Sequence, residues 1–221
     1  MGQGSVTEFG TDSQFGGHES GLRRGRRTMS RVLVFVGGFA APGNEWPLTP
    51  IRRSARDRGW RTKYFNERLA FGPISTSAGR LVTLIEHLDQ THDTIVVVGH
   101  SMGGLVAEHA AALGAPIDAL VTIGTPHQGH SLSRFGPLPV MREMGTNSAY
   151  LRSVAAIPGP RPPLLVITGA RDRLVPRSAT RPNRPHEFVV IPGVGHLGVI
   201  FDQRTADAIL EWAGAHQRLA A

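Results

Sequence analysis

Six short apolar runs, separated by segments with helical spacing, constrain the fold of this chain more than any other feature. Several are rich in β-branched residues and lack polar–apolar alternation, which is typical of strands buried on both faces of a parallel sheet. Right-handed crossovers between such strands give an α/β fold, a three-layer α/β/α sandwich with a mostly parallel, roughly six-stranded sheet. The predicted strands are Val32–Val36, Lys63–Phe65, Thr94–Val98, Ala119–Ile123, Leu164–Thr168 and Phe188–Ile191.

Helical patterns fill most of the gaps between these strands. They predict helices at 50–59, 77–89, 103–113 and 203–219. The remaining long connection, 127–163, contains six prolines. A connection of that length is usually functional, so we expect a short cap-like insertion there, with one short helix near 141–154.

The N-terminal segment differs in composition from the rest. Residues 1–30 are rich in Gly, Ser and Arg and poor in apolar side chains, so we expect a disordered basic tail ahead of one domain at 31–221. Met29 directly precedes the first strand and is an alternative translation start. The net charge of +7 is partly due to this tail. No aromatic residues interleave with its arginines, so we expect no nucleic-acid partner, with DNA binding by the tail as a weaker alternative.

Targeting and redox signals are few. No apolar run approaches the roughly 18 residues of a membrane span, so we expect no stable membrane insertion. The pair Arg26-Arg27 ahead of Val32–Val36 is similar to a twin-arginine signal, but the apolar run is short and fits a core strand better. A cytoplasmic location is therefore favoured. The chain has no Cys, which excludes disulfides and thiolate metal sites.

The sequence Gly99-His100-Ser101-Met102-Gly103 joins a predicted strand to a predicted helix. This is the G-x-S-x-G pattern, in which a serine projects from a sharp, strained turn at the helix N-terminus. Small residues two positions away on either side relieve crowding at that turn. Ser101 is therefore the candidate nucleophile, and His100 is expected to point away from it. The alternative is a plain glycine-rich turn.

A serine hydroxyl needs a base at neutral pH. His196 lies in a glycine-rich loop directly after the last predicted strand, where catalytic groups of open α/β sheets collect. The alternative is a histidine that only caps the last helix. Seven of the other histidines lie in the tail, on or near helices, inside the serine turn or ahead of a strand. His196 is the candidate base.

A carboxylate should orient that histidine. Asp172 follows the strand Leu164–Thr168 and lies between Ser101 and His196 in the chain, which is the order of α/β-hydrolases. Residues 124–135 contain no acidic side chain. Asp172 is the candidate acid, and its alternative role is an ion pair with a neighbouring arginine. Asp202 is the rival acid, although its position suits an N-cap of the final helix.

Two backbone N–H groups are expected to stabilise an oxyanion near Ser101. One is that of Met102, directly after the serine, and the other is that of Phe39, in the loop after the first strand. Gly37-Gly38 allows close backbone approach there, and a simple turn is the alternative. Trp46, Leu197 and Ile200 lie on or beside these loops and are predicted to bind substrate.

His127 and His130 are three residues apart and could share a metal. Nothing nearby supplies a third ligand, so we favour a loop-stabilising role and expect no metal and no cofactor.

Three segments of the chain resemble the α/β-hydrolase superfamily, and in particular small bacterial triacylglycerol lipases and esterases. They are Val97–Leu105, Thr122–Gly129 and Gly193–Gly198, and the order of elements is similar over roughly residues 31–214. The resemblance implies a minimal, six-stranded α/β-hydrolase fold, carboxylic-ester substrates and no cofactor. The chain has Gly37 where those lipases usually carry histidine, which weakens the substrate assignment more than the catalytic one.

Together these features predict a serine hydrolase that cleaves a small-molecule or lipid ester through Ser101, His196 and Asp172. The same side chains could run acyl transfer or thioester hydrolysis, because acceptors differ only in pocket shape. A non-catalytic binding protein on this scaffold is the other alternative.

Overall fold

The computed structural model describes residues 30–39, 49–65, 72–131 and 137–217. Within these residues every predicted apolar run forms a strand. The strands are β1 (Arg31–Val36), β2 (Arg61–Phe65), β3 (Thr94–His100), β4 (Ala119–Ile123), β5 (Leu164–Gly169) and β6 (Glu187–Ile191).

The six strands form one sheet in the order β2-β1-β3-β4-β5-β6, and each neighbouring pair is parallel. The register aligns the carboxyl ends of the central strands, since His100 pairs with Ile123 and Ile123 with Ile167. This confirms the predicted parallel sheet. The connections that follow β3, β4, β5 and β6 therefore all leave from the same edge.

Helices cover both faces of the sheet. They are α1 (Thr49–Asp57), α2 (Ile74–Asp89), α3 (Met102–Ala112), α4 (Pro139–Glu143), α5 (Ala149–Ala156) and α6 (Gln203–Ala215), with a 3₁₀ helix at Gly198–Phe201. None of the helices in the described part of the chain is long and apolar enough to cross a membrane.

The alternation of side chains along β1 explains why two cores form. Val32, Val34 and Val36 pack in a cluster with α2 and α3. Leu33 and Phe35 point to the opposite face and pack in a second cluster with α1 and α6. Because both faces are covered, β1 is apolar at every position after its first residue. The three-layer sandwich is thus confirmed.

The segment between β4 and β5 differs from the prediction. Instead of one helix near 141–154, α4 and α5 are separated by a turn in which Asn147 has a φ of 56°. Ser148 caps α5, because its hydroxyl accepts a hydrogen bond from the Leu151 N–H at 3.1 Å. Val140 and Met144 join the core on the α2 and α3 face. The role of 127–163 as a cap over the site stays a prediction.

The predicted tail at 1–30 lies outside the described residues except for Ser30, and so does Met29. Ser30 already belongs to the fold, because its N–H donates to the Asp93 carboxylate at 2.7 Å.

The first turn of α3 packs directly against the end of β1. A Cβ atom on Gly103 would overlap the carbonyl oxygens of Val36 and Gly37, whereas one on Gly79 in α2 would meet nothing within 4 Å. Two alanine substitutions in helices should therefore have opposite effects. We expect Gly103→Ala to lower the free energy of unfolding by more than about 2 kcal/mol, because backbone atoms cannot move aside cheaply. We expect Gly79→Ala to raise it by roughly 0.5–1 kcal/mol through helix propensity.

Urea denaturation of the two variants beside the parent protein measures both changes. Equal effects of the two substitutions would contradict the close packing of α3 on β1.

Candidate active site

Ser101 occupies a sharp turn between β3 and α3. Its φ of 54° and ψ of −123° are unusual for a residue with a side chain. The turn is fixed on both sides, since the Ser101 N–H donates to the Ile123 carbonyl at 2.8 Å and the Gly104 N–H donates to the Ser101 carbonyl at 3.1 Å. Such strain persists only where the surroundings determine the conformation, and here it directs the hydroxyl out of the sheet edge.

His196 lies in the loop after β6, and its ring reaches the serine. Nε2 of His196 is 3.0 Å from Oγ of Ser101, and Nδ1 is 2.8 Å from Oδ2 of Asp172. A carboxylate only accepts hydrogen bonds, so Nδ1 carries the proton and donates to Asp172. Nε2 is then the acceptor, and the Ser101 hydroxyl donates to it. The three side chains that the sequence singled out therefore form one hydrogen-bonded chain.

Asp172 is held in place by backbone donors. Its side chain is 1% exposed, and Oδ1 accepts the N–H groups of Leu174 at 3.0 Å and Val175 at 2.8 Å. Burial acts to raise the pKa of this carboxyl, but the hydrogen bonds from His196, Val175 and Leu174 outweigh it. The pKa of Asp172 is therefore lowered from its ordinary value. The group is an anion at neutral pH, aimed at the ring of His196.

The rival acid has a different position. Asp202 is the N-cap of α6, where its Oδ1 accepts the Arg204 N–H at 2.9 Å. Its carboxylate also pairs with the Arg204 guanidinium at 2.7 Å. Its bonds tie it to the start of the last helix, whereas Asp172 contacts His196.

The end of β4 contributes Gly124, a residue the sequence analysis did not single out. Its φ is +56°, and a Cβ atom there would lie 3.1 Å from Nδ1 of His196 and 3.3 Å from Oδ2 of Asp172. The bare backbone lets the histidine–carboxylate pair lie directly on the strand end. The sequence signals were the position of this glycine right after a buried strand and its place in the segment Thr122–Gly129, which resembles lipases.

The loop after β1 approaches the serine as expected. A Cβ atom on Gly38 would lie 3.2 Å from Cβ of Ser101. Phe39, the next residue, is 38% exposed, while Met102 opens α3 and is fully buried. Both flank the serine turn, and the assignment of their N–H groups to an oxyanion stays a prediction.

The predicted substrate-binding residues separate into three cases. Leu197 is 64% exposed beside His196. Ile200 is 3% exposed and packs in the core with α1 and α6, so its substrate-binding role stays a prediction. The 3₁₀ helix that follows His196 turns this side chain inward. Trp46 lies outside the described residues.

A cavity of about 370 Å³ lies between α3, α5 and the connection from β5 to β6. None of Ser101, Asp172 and His196 lines it. One wall is the partly buried ion pair of Glu108 and Arg184, at 3.1 Å.

His127 and His130 have separate hydrogen-bond partners. The Nε2 atom of His127 is 3.0 Å from the Thr122 hydroxyl, and the backbone N–H of His130 donates to the Met144 carbonyl at 2.7 Å. Within the described ranges, no three His, Asp or Glu side chains are grouped to hold a metal ion.

His100 was expected to point away from the serine, and the structure places its ring against His196. Its ring centroid is 4.9 Å from that of His196, and its Nε2 lies 3.1 Å from the His196 carbonyl oxygen. Side chains alternate between faces only while the chain remains a strand. The strand ends at His100, so alternation gives no guide to the relative directions of residues 100 and 101.

Comparison with known proteins adds three findings. The sequence model of the PGAP1-like alpha/beta domain family matches residues 76–136, which run from α2 through β4 to the segment after it. No curated protein sequence gives a significant match. Solved structures match over most of the chain.

Three of these structures illustrate the likeness. Est1E from Butyrivibrio proteoclasticus, with ferulic acid bound, is 17% identical, with a TM-score of 0.64 over 85% of this chain and 90% of that one. A malate-bound thermophilic esterase from Thermogutta terrifontis is 21% identical, with a TM-score of 0.58 over 86% and 91%. The alpha/beta hydrolase GrgF from Penicillium sp. sh18 is 14% identical, with a TM-score of 0.62 over 87% and 92%. At these identities the likeness concerns the fold.

The buried ring of His127 should make stability depend on pH. Burial first, and then the charges of Arg184 and His186, lower its pKa from 6.5 to about 3. Between these values the unfolded chain binds the proton and the folded one does not, so the free energy of unfolding falls as the pH falls below 6.5. From pH 7 to pH 5 this one residue should account for a loss of about 2 kcal/mol.

Urea denaturation at the two pH values tests this in the parent protein and in His127→Gln. The variant should lose about 2 kcal/mol less on acidification than the parent. His87→Gln is the control, since it removes an exposed histidine. An unchanged pH dependence in His127→Gln would contradict a neutral, buried His127.

Proposed function

We propose that this chain is a member of the α/β-hydrolase superfamily and a serine hydrolase that cleaves carboxylic esters through an acyl-enzyme. The observation that carries the proposal is the hydrogen-bonded chain from Ser101 through His196 to Asp172, at 3.0 and 2.8 Å. The strained backbone of Ser101 at the start of α3 supports the same role. A serine held this way is suited to attack a carbonyl carbon.

The first half of the reaction forms the acyl-enzyme. The Oγ atom of Ser101 attacks the ester carbonyl while its proton passes to Nε2 of His196. When the tetrahedral intermediate collapses, the bond to the alcohol oxygen breaks, and His196 returns that proton to the leaving alcohol. The acyl group is then bonded to Ser101, and the alcohol departs neutral.

The second half reverses these roles with water. His196 takes a proton from a water molecule as its oxygen attacks the acyl carbonyl. Collapse of the second intermediate breaks the bond to Ser101 Oγ, which regains its proton from His196. The products are the carboxylic acid and the unchanged enzyme.

Asp172 stabilises the site during the reaction, because His196 becomes positively charged in both halves of the catalytic cycle. Its carboxylate stays ionised, since its pKa is lowered, and it lies 2.8 Å from Nδ1 of His196. This position stabilises the imidazolium and fixes the tautomer with Nε2 free to accept. The two backbone N–H groups on Oδ1 keep the carboxylate from rotating away.

We assign the stabilisation of the developing oxyanion to the backbone N–H groups of Phe39 and Met102. Met102 opens α3, so its N–H has no partner within the helix and lies at the positive end of the helix dipole. The close approach of Gly38 to Ser101 supports the assignment of Phe39. Two donors fixed before reaction stabilise the intermediate without reorganisation.

The substrate is proposed to be a small-molecule or lipid ester. Exposed apolar side chains of Phe39 and Leu197 lie in the loops that carry the oxyanion donor and the base. The esterases similar to this chain bind small carboxylic acids, ferulic acid in one and malate in another. Trp46 is proposed to contribute to the same region from the loop after β1.

Replacement of the nucleophile is the direct test. Ser101→Ala should lower kcat for p-nitrophenyl acetate and butyrate hydrolysis by at least about 10⁴-fold, because no other group can form the acyl-enzyme. A fluorophosphonate probe should label the parent protein at Ser101 and leave the variant unlabelled. Ser153→Ala removes an exposed serine on α5 and is the matched control. Retained hydrolysis or labelling in Ser101→Ala would sink the proposal.

Replacement of the acid tests the proposed division of roles. Asp172→Asn keeps the shape but can hold the ring of His196 in the wrong tautomer, with Nε2 protonated. We expect kcat to fall by about 10³–10⁴-fold, with KM changed far less. Steady-state kinetics with the same esters measure this, and Asp202→Asn is the control because that carboxylate caps α6. A larger loss in the control than in Asp172→Asn would reverse the assignment of the acid.

A further inference from the structure

We propose that His100 is a positioning residue, which holds the His196 loop in place by donating a hydrogen bond from Nε2 to the His196 carbonyl oxygen. The inference rests on the proposed function, because it gives His100 a role in the same reaction. It goes beyond the three catalytic side chains by naming what keeps the base over the serine.

The geometry places His100 in contact with three parts of the site. Its ring is 7% exposed at the end of β3, directly before Ser101. Nε2 lies 3.1 Å from the His196 carbonyl oxygen, and the two rings are 4.9 Å apart. Nδ1 lies 3.3 Å from where a Cβ atom on Gly38 would be. His100 therefore directly precedes the nucleophile, bonds the base loop through its buried ring and lies next to the loop after β1.

The direction of the hydrogen bond follows from the acceptor. A carbonyl oxygen cannot donate, so the proton of the bond belongs to Nε2 of His100. A neutral ring with Nε2 protonated has a bare Nδ1, which faces Gly38. The bond acts on the backbone of His196 and leaves both of its ring nitrogens free for Asp172 and Ser101.

Hydrogen bonds of the base loop lie on either side of His196. The Arg171 N–H donates to the Val194 carbonyl at 2.8 Å, and the Val199 N–H donates to the Gly195 carbonyl at 3.0 Å. These bonds fix the residues on either side of His196. Among the residues that the structure describes, His100 is the one that bonds the carbonyl of His196 itself.

A neutral ring also suits the charge changes of the reaction. The titratable groups that face His100 are His196, from the loop after β6, and Asp172, from the loop after β5. Burial first, and then the charge on His196, lower the pKa of His100 to about 4. At neutral pH the ring therefore adds no positive charge beside His196 when that residue takes the serine proton.

Two substitutions that introduce side chains of similar length distinguish a positioning role of His100 from a packing role. His100→Gln can place its amide nitrogen near the original Nε2 and can still donate to the carbonyl. His100→Met fills a similar space without a donor. We expect His100→Met to lower kcat for p-nitrophenyl butyrate by about 10- to 100-fold with KM within about 2-fold, because a small displacement of a catalytic group has that cost. His100→Gln should retain a third or more of the parent kcat.

Proton NMR provides a second measurement that does not depend on activity. The proton between Nδ1 of His196 and Asp172 should give a strongly downfield proton NMR resonance in the parent protein. We expect the resonance to persist in His100→Gln and to be broadened or lost in His100→Met. His109→Met, which removes a buried histidine in α3, is the matched control and should keep both the resonance and kcat. If His100→Met does not fold, His100→Asn replaces it, since its amide is too short to reach the carbonyl.

The outcomes are distinct. A parent protein that shows the resonance but hydrolyses no ester contradicts the proposed function, while the NMR comparison still decides the role of His100. Full kcat with an intact resonance in His100→Met overturns the positioning role. Equal losses in His100→Gln and His100→Met overturn it as well, because the donor would then not matter.

Discussion

The parallel pairing of β3, β4, β5 and β6 is the constraint on which the whole site depends. Neighbouring strands lie about 4.8 Å apart, so the connection after β6 leaves the sheet about 14 Å from the one that carries Ser101. The loop after β6 must therefore run back across two strand ends before His196 can reach the serine. It does so over β5, where the Arg171 N–H bonds the Val194 carbonyl. It then passes over β4, where Gly124 offers no side chain to obstruct it.

This return path explains why residues outside the catalytic chain matter for its geometry. The loop is bonded to β5 at one point, lies on the bare backbone of β4 and meets β3 through His100. Each successive strand end thus supports a different part of the loop. The hydroxyl–imidazole distance of 3.0 Å is the result of these supports acting together.

The sequence was a good guide where one segment carried its own signal. The apolar runs identified the strands because burial on both faces leaves little room for polar residues, and β1 illustrates this. The positions of Ser101, Asp172 and His196 directly after predicted strands placed them at one edge, because parallel strands share their carboxyl ends. These predictions needed no knowledge of side-chain direction.

The sequence was a poor guide where the role of a residue depended on the direction of its side chain or on a contact with a residue far along the chain. Ile200 had the composition of a pocket residue, but a 3₁₀ turn directs it into the core. His100 directly precedes Ser101, and strand alternation does not relate their directions across the strained turn. Gly124 matters only because His196 and Asp172, far along the chain, come to lie on it. None of these facts is a property of the local pattern.

The proton positions in the site follow from two groups that can only accept. The Asp172 carboxylate requires the proton on Nδ1 of His196, which leaves Nε2 to accept from Ser101. The His196 carbonyl requires the proton on Nε2 of His100. Every hydrogen bond of the site therefore has one direction before substrate arrives. Because the acceptors cannot change roles, proton transfer from Ser101 alters the charge of one ring only, and that ring already faces its counter-ion.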